Sequence, residues 1–341
     1  MKCIYCGTDS KLRQRTEGRC PGCRHPFAFE PTRDPYKVTD GQFENAMERV
    51  SGNGKVLFTE RHLWYEFNRR WMKPGFWRSL YGKLAFAGAA QPPRPPRIAF
   101  PEWERRYLRR WKEVHGDVAA LLPVRQVAAP ALPREVPADV AAFSFDRAVV
   151  TDQWETAQVL VANRFHFEHN CAVLSRDGYP DGIAGTVKEM LRRNPRLTVF
   201  ALHDASPGGC LLPLTLREQE WFPNPAVRIV DLGLRPQTVR RLRIPALAGS
   251  PRKLPPRLGE VLPPDDVAWL ARGHTGELAA LHPAQVLRAA YQGIVAAGPN
   301  DGSAPSGGDG GGGGDTYYGG GVIWVGDLGG GTDTAAVDGF G

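Results

Sequence analysis

The sequence predicts an α/β protein built around a parallel sheet with helices on its faces. Three short apolar runs carry this prediction: residues 148–150 (AVV), 171–174 (CAVL) and 197–203 (LTVFALH). Polar or glycine-containing sequence follows each run, and helix-like segments separate them. Buried parallel strands joined by crossover helices have this pattern, because both faces of the sheet are covered and the polar–apolar alternation is lost.

An acidic residue follows each of these predicted strands: Asp152, Asp177 and Asp204. The carboxyl ends of parallel strands meet at one edge of the sheet, which is where open α/β sheets place their sites. A fourth apolar run, 227–230, extends the predicted domain, which we bound at residues 145–245. We therefore expect the site of this protein at the acidic edge.

The composition is that of a soluble globular protein, with 42% apolar residues among 341 and a formal net charge of +7. The N-terminus lacks the apolar segment of a secretory signal, and no apolar stretch has the length that crossing a membrane requires. Six cysteines without a signal indicate a reducing compartment. We expect a cytoplasmic protein with no membrane partner. The net charge favours an anionic partner such as nucleic acid, or describes a merely basic soluble protein.

Residues 1–30 contain two Cys-x-x-Cys pairs, 13 residues apart. Two such pairs complete a tetrahedral zinc site, and metal binding would supply much of the folding energy of so short a segment. Alternatives are a redox pair or two disulfides. Closed four-cysteine sites are structural, and such ribbons bind nucleic acid or protein. The predicted zinc ligands are Cys3, Cys6, Cys20 and Cys23.

Residues 31–122 predict a basic, mostly helical module. Thr39 or Asp40 is the expected cap of its first helix, 55–58 has the pattern of a short strand, and Thr59 precedes a second helix. Strand, turn and basic helix are compatible with a winged-helix module. A linker rich in proline and alanine, 123–144, leads to the sheet domain.

Basic residues are concentrated between positions 60 and 112, where thirteen Lys and Arg face four carboxylates and alternate with tryptophan and tyrosine. Cations among aromatic rings suit phosphate neutralisation with base stacking. The alternative is a solvated helix surface over an aromatic core. The candidate nucleic-acid-binding residues are Arg69, Arg70, Arg105, Arg106, Arg109 and Arg110.

The C-terminal part divides into two segments. Residues 246–300 begin as a proline-rich connector, and 265–297 have a helical pattern. The tail, 301–341, holds 17 glycines and six aspartates but no Lys or Arg. Such a segment buries too little apolar surface to offset its ordering entropy, so we predict an acidic, disordered tail.

The central stretch resembles the Toprim domain, in the version found in the A subunit of topoisomerase VI and in meiotic double-strand-break proteins. Asp152 stands where that family has a glutamate after its first strand. The sequence Gly178-Tyr179-Pro180-Asp181 matches a turn after the second strand. The sequence Asp204-Ala205-Ser206-Pro207-Gly208-Gly209 stands in the place of an Asp-x-Asp motif.

A second match precedes the Toprim-like stretch. The family carries its nucleophilic tyrosine in a winged-helix domain, and the sequence Thr59-Glu60-Arg61-His62-Leu63-Trp64-Tyr65 is similar to that motif. The resemblance implies Tyr65 as the nucleophile, with Arg61 as the basic residue one helical turn before it.

The resemblance also implies a magnesium site made of Asp152, Asp204 and Ser206. Two of these positions depart from the family, because Asp152 is shorter than glutamate and Ser206 lacks a carboxylate. Glu155 is expected to point elsewhere. We therefore expect a nucleic-acid-associated protein, with DNA as the favoured partner, whose degenerate Toprim-like domain is non-catalytic or weakly active. The alternatives are a zinc-ribbon adaptor that binds a protein partner, and an active magnesium-dependent DNA strand transesterase using Tyr65.

Overall fold

The structure, a computed structural model, describes residues 1–72, 95–124, 146–180, 185, 197–218 and 227–298. The predicted tail, 301–341, lies outside these residues. So do Asp181 and all but the first two positions of the predicted linker, 123–144.

The first 30 residues form two similar turns that present the cysteines. Each turn is closed by one antiparallel bridge, Lys2 with Asp9 in the first and Arg19 with Pro26 in the second. In each turn, the residue after the second cysteine has a left-handed backbone, with φ of 71° at Gly7 and 64° at Arg24. The equivalent geometry of the two turns follows from the repeated Cys-x-x-Cys spacing.

Helices around an aromatic core follow the ribbon. Their bounds are α1 Asp40–Ser51, α2 Glu60–Met72, α3 Phe100–Trp103, a π-helical turn Glu104–Leu108, and α4 Arg109–His115. Thr39 caps α1, accepting a hydrogen bond from the Gln42 N–H, as predicted. Asp40, the other predicted cap, is instead buried and accepts from the backbone N–H groups of Ala28 and Phe29.

The prediction of a strand over 55–58 is wrong, because the paired segment is much shorter. Only Phe58 pairs, in a parallel bridge with Leu121, because the chain enters α2 two residues later. Within the described residues of 31–122, no β-hairpin accompanies the helices. The likeness to a winged-helix module therefore remains a prediction.

A parallel sheet occupies the centre of the molecule, as predicted. Its order in the described residues is β2-β1-β3-β4. Val149 of β1 pairs with Val173 of β2 and with Phe200 of β3, and Phe200 also pairs with Val230 of β4. The central strands are therefore β1 and β3. The strands are β1 Arg147–Thr151, β2 Ala172–Ser175, β3 Thr198–Leu202 and β4 Arg228–Asp231.

Apolar layers cover both faces of this sheet. Val149 and Phe200 face the large core shared with the N-terminal helices, whereas Val150 and Ala201 face a second core containing Leu212. Burial on both faces explains why the strands read as continuous apolar runs. The flanking helices are α5 Trp154–Ala162, α6 Phe165–Glu168, α7 Pro207–Cys210 and α8 Leu212–Glu218.

The C-terminal part adds helices and an antiparallel strand pair. The helical prediction for 265–297 is wrong in the middle, where a strand interrupts it. The interruption occurs at Gly273, whose φ is 88° and where a Cβ would lie 2.4 Å from the carbonyl oxygen of Gly249. The elements are α9 Pro236–Arg241, β5 Ala246–Ala248, α10 Leu258–Val261, α11 Pro264–Ala271, β6 His274–Gly276 and α12 Pro283–Ala297.

No helix in the described part of the chain is both long enough and apolar enough to span a bilayer.

Candidate functional site

Two predicted acids meet where the strand order of the sheet reverses. Asp152 follows β1 and Asp204 lies two residues after β3, at the carboxyl ends of the two central strands. A reversal of strand order opens a crevice at this edge, because the connections leave in opposite directions. The backbone N–H of Asp204 donates to Asp152 Oδ2 at 3.2 Å. The structure therefore brings these two carboxylates into one place, as the sequence predicted.

Both carboxylates are buried, with exposed fractions of 4% for Asp152 and 7% for Asp204. Burial raises the pKa of each, and the charge of Asp152 raises the pKa of Asp204 further. Asp152 Oδ1 is buried and has no hydrogen-bond partner within the described residues. The surroundings of these two acids therefore stabilise their charged forms poorly.

Ser206 caps a helix. Its Oγ accepts a hydrogen bond from the backbone N–H of Gly209 at 2.9 Å, which begins α7. A Cβ on Gly209 would lie 2.4 Å from the carbonyl oxygen of Asp204 and 2.8 Å from Asp152 Oδ2, so only glycine fits against the two acids. Ser206 still lines the pocket beside Asp204, at the position expected for a metal ligand.

Glu277 is an acid of the site that sequence reasoning missed. It follows β6, and the strand segment around it docks onto the segment that carries Asp204. The backbone groups of Ala205 and Gly276 exchange two hydrogen bonds, of 2.8 and 3.1 Å. The N–H of Leu278 donates to Asp204 Oδ1 at 2.7 Å. No local pattern marks Glu277, because its place depends on pairing across more than 70 residues.

Arg61 of α2 binds Glu277 with both ends of its guanidinium group. Its Nε donates to Glu277 Oε2 at 3.1 Å, and its Nη2 donates to Oε1. The guanidinium also lies 4.8 Å from the ring centroids of Trp64 and Phe100. This ion pair joins the basic helical module to the acidic edge of the sheet.

A pocket of about 500 Å³ lies between α2 and the sheet edge. Glu155, expected to point elsewhere, lines it, and burial raises the pKa of its carboxyl. Among the described residues that line it, acids outnumber bases by five to one, so the pocket is acidic in composition. The charged lining residues are Glu60, Arg61, Glu104, Glu155, Asp204 and Glu277.

Tyr65 does not line this pocket. Its side chain is fully buried. Burial raises the pKa of the hydroxyl well above its usual range, and the charge of Glu277 and a hydrogen-bonding contact with its carboxylate add to the shift. Although the structure places Tyr65 beside Arg61 and the acids, its hydroxyl is shielded from solvent and held in the protonated state.

The four cysteines of the ribbon form a compact cluster, with all four sulfurs within 4.8 Å of one another. The Sγ atoms are 3.6 Å apart for Cys3 and Cys23, and 3.6 Å for Cys6 and Cys20. These distances exceed a disulfide bond and suit a tetrahedral metal site, in which Zn–S bonds of about 2.3 Å separate the sulfurs by about 3.8 Å. The cluster can therefore hold a metal ion. Among the described residues, no acidic group forms a similarly tight cluster.

The candidate arginines divide into two groups. Arg69 pairs with Glu66 at 2.7 Å, and Arg70 lies 3.8 Å from the ring centroid of Trp71, so both are tied into internal packing. Arg105, Arg106, Arg109 and Arg110 are exposed on the helical stretch that begins with α3. Arg106 pairs with Asp34 and Glu102, and Arg110 pairs with Glu113.

Fold and site together define an α/β protein with an open parallel sheet, an acidic pocket at its reversal point and a cysteine cluster suited to a metal. Comparison of the chain with models of protein families, with curated proteins and with solved structures finds no match. The resemblance to the Toprim domain therefore remains a prediction from the motifs alone.

Proposed function

We propose that this protein associates with nucleic acid, and with DNA in particular, through a basic helical surface beside a Toprim-like pocket, and that it does not cut strands. The observation that supports this proposal is the state of Arg105 and Arg109. Both are exposed, and neither forms an ion pair with any described residue. Phe100 and Glu104, on the same helical stretch, line the acidic pocket.

Unpaired guanidinium groups are suited to phosphate, because binding releases counterions from the nucleic acid without breaking an internal ion pair. The acidic pocket repels phosphate unless a cation intervenes. A duplex on the basic surface would therefore be held by its backbone and lie next to the pocket.

The environment of Tyr65 argues against strand cleavage. An attacking tyrosine must reach a phosphorus atom and lose its proton, whereas this hydroxyl is buried and its pKa is raised. We infer that Tyr65 is a packing residue, and that the active-transesterase alternative is the less well supported one.

We infer that the metal of the ribbon is zinc, because four thiolates in a tetrahedral arrangement favour that ion. The ribbon is tied to the helical module by a chain of hydrogen bonds from the Tyr5 hydroxyl through the His115 ring to the Asp40 carboxylate, of 3.0 and 2.9 Å. Zinc thereby supports the position of the ribbon beside the basic helix.

Magnesium is the second cofactor of the proposal. The unpartnered Asp152 Oδ1 and the buried Asp204 carboxylate fit a hard divalent cation, which prefers oxygen ligands. Magnesium, when bound, would supply positive charge that offsets the acids near a phosphate. Asp152 and Asp204 would hold it, with the Ser206 hydroxyl beside them.

A protein partner on the ribbon is the second candidate, favoured by the exposed apolar side chain of Leu12. A gel shift with a labelled DNA duplex separates the two functions. We expect binding at about 50 mM salt that is lost near 200 mM, with strands that remain intact in the presence of magnesium. Absence of a shift at low salt contradicts the proposal that the protein binds nucleic acid. If the wild type nicks the DNA and Tyr65→Phe does not, the proposal that the protein leaves strands intact is contradicted.

A further inference from the structure

Glu277 is placed at the acidic edge by the backbone. The paired N–H and C=O groups of Ala205 and Gly276 fix the register between the two segments. One residue along, the hydrogen bond from the Leu278 N–H to Asp204 Oδ1 anchors the other side of Glu277. Because the residues on both sides of Glu277 are hydrogen-bonded to the segment that carries Asp204, the backbone of Glu277 is held at the pocket.

This docking requires a small residue at position 276. A Cβ on Gly276 would lie 2.5 Å from Cγ2 of Val239 and 3.4 Å from the Cβ of Ala205. Glycine therefore permits the close approach that brings Glu277 opposite Asp204.

The pocket lacks positive charge to match its acids. Arg61 is the single basic group among the six charged residues of the described chain that line the pocket. Glu60 pairs with Lys112 at 3.2 Å and Glu277 pairs with Arg61, whereas Glu155 and Asp204 form no ion pair with any described residue. The charge of Glu277 adds to the effects that raise the pKa of Asp204 and of Glu155.

One buried polar atom beside Asp204 has no hydrogen-bond partner in the described part of the chain. It is Asp152 Oδ1, and the other oxygen of the same carboxylate accepts from the Asp204 N–H. An unpartnered buried polar atom is costly, and at this place it indicates a ligand that completes the site.

Arg61 supplies part of the positive charge that the acids of the pocket require. Its two hydrogen bonds to Glu277 use one lone pair on each oxygen, and a carboxylate has about four such sites. A cation can therefore approach Glu277 on its remaining lone pairs, and the guanidinium is then a competing positive charge.

We propose that Glu277 is a ligand of a divalent cation in this pocket, together with Asp204, and that Arg61 is the internal counter-ion with which the cation competes. The inference rests on the magnesium site of the proposed function. It changes the ligand set of that site, because the carboxylate of Glu277 replaces the Ser206 hydroxyl as a ligand. Among the described residues, the acids of the pocket do not form a group of three whose ligand atoms all lie within 4.8 Å of one another, so the proposal names two of them.

Titration of zinc-loaded protein with Mn²⁺, followed by the electron paramagnetic resonance of free Mn²⁺ and without nucleic acid, tests this assignment. We expect one bound Mn²⁺ per chain, a Kd that is about tenfold or more weaker in Glu277→Gln, and tighter binding in Arg61→Gln. Glu260→Gln, an exposed acid on α10, is the matched control and leaves the Kd unchanged.

The double variant Arg61→Gln with Glu277→Gln removes both charges together and avoids leaving a lone guanidinium. We expect it to bind Mn²⁺ as weakly as Glu277→Gln. The assignment of Glu277 is overturned if the wild type and Glu277→Gln have equal Kd values for Mn²⁺ while Asp204→Asn binds it weakly. That result leaves the magnesium proposal standing. Failure of the folded wild type to bind Mn²⁺ overturns both, while DNA binding is decided by the separate gel shift.

Discussion

Arg61 and Glu277 form a bidentate ion pair across 216 residues of the chain. The pair connects the N-terminal helical module to the carboxyl edge of the parallel sheet, at the mouth of the acidic pocket. Two parts that the sequence presents as separate modules therefore share one site. Arg61 is the one base among the described residues that line the pocket, so this contact sets the electrostatic conditions for the residues around it.

Replacing Tyr65 by phenylalanine tests whether its hydroxyl has a chemical role. The ring stays in the core, and only a hydroxyl in contact with the charged carboxylate of Glu277 is removed, so we expect the free energy of unfolding to change by no more than about 1 kcal/mol. Urea denaturation measures this change. Tyr107→Phe is the matched control, because it removes a hydroxyl that donates to Asp34 at 2.8 Å, and it should destabilise the protein. A loss of stability in Tyr65→Phe that equals or exceeds the loss in Tyr107→Phe contradicts the packing role.

The pH dependence of stability reports on Asp204. Its pKa is raised in the folded state by burial and by Asp152, so the folded protein retains a proton that the unfolded chain has lost above about pH 4. Stability from this group therefore falls as the pH rises from about 4 towards the raised folded pKa. Asp204→Asn keeps the acceptor for the Leu278 N–H and should be more stable than the wild type at pH 8.

Thermal unfolding of the two proteins at pH 5 and pH 8 measures this difference. Magnesium should raise the melting temperature of the wild type at pH 8 and leave that of Asp204→Asn unchanged, because the cation offsets a charge that the variant lacks. Parallel pH profiles for the two proteins contradict the assigned pKa shift.

The sheet could be predicted from sequence because its information is local. Buried strands such as 148–150 and 197–203 appear as apolar runs, and the acid that follows each of them marks the edge. The cysteine spacing is equally local, since the two turns repeat one geometry.

The rest of the site depends on contacts that no local pattern records. Glu277 enters the pocket because Gly276 pairs with Ala205, and the helical prediction for 265–297 failed because the backbone of Gly249 packs against Gly273. Phe58 likewise pairs with Leu121 rather than with a neighbouring strand. Tertiary pairing overrode local propensity in each case.

Removal of one cysteine tests the metal cluster of the ribbon. We expect one zinc per chain by elemental analysis, reduced to less than about a tenth of that value in Cys20→Ser, because three thiolates hold zinc much more weakly than four. Cys171→Ala is the matched control, since that cysteine is buried beside the sheet and should leave the zinc content unchanged. Zinc retained at full occupancy in Cys20→Ser contradicts the site.

His203, the residue before Asp204, provides a second pH-dependent contribution to stability. Its Nδ1–H donates to the Asp204 carbonyl oxygen at 2.8 Å, and its Nε2–H donates to Asp231 Oδ1 at 3.0 Å. Burial alone would lower the pKa of His203, but the charge of Asp231 and the hydrogen bond to it raise the pKa. The stabilisation is therefore complete below about pH 6.5 and is lost as the pH rises through the raised pKa.

Replacing His203 by glutamine should remove this part of the pH profile and cost about 2 kcal/mol at pH 6, because Asp231 loses a buried charged partner. Chemical denaturation at pH 6 and pH 9 checks the prediction. A stability loss in His203→Gln that is equal at the two pH values contradicts a protonated imidazole.

The most direct test of the account is the salt dependence of DNA binding. Fluorescence anisotropy of a labelled duplex, titrated at several salt concentrations, compares the wild type with the double variant Arg105→Ala with Arg109→Ala. Arg272→Ala, an exposed arginine on the C-terminal side, is the control. We predict that the double variant lowers the slope of log affinity against log salt by about 1.8, which corresponds to two lost phosphate contacts, and that the control does not. Equal slopes for all three proteins, or no binding by the wild type at about 50 mM salt, contradict the proposed function.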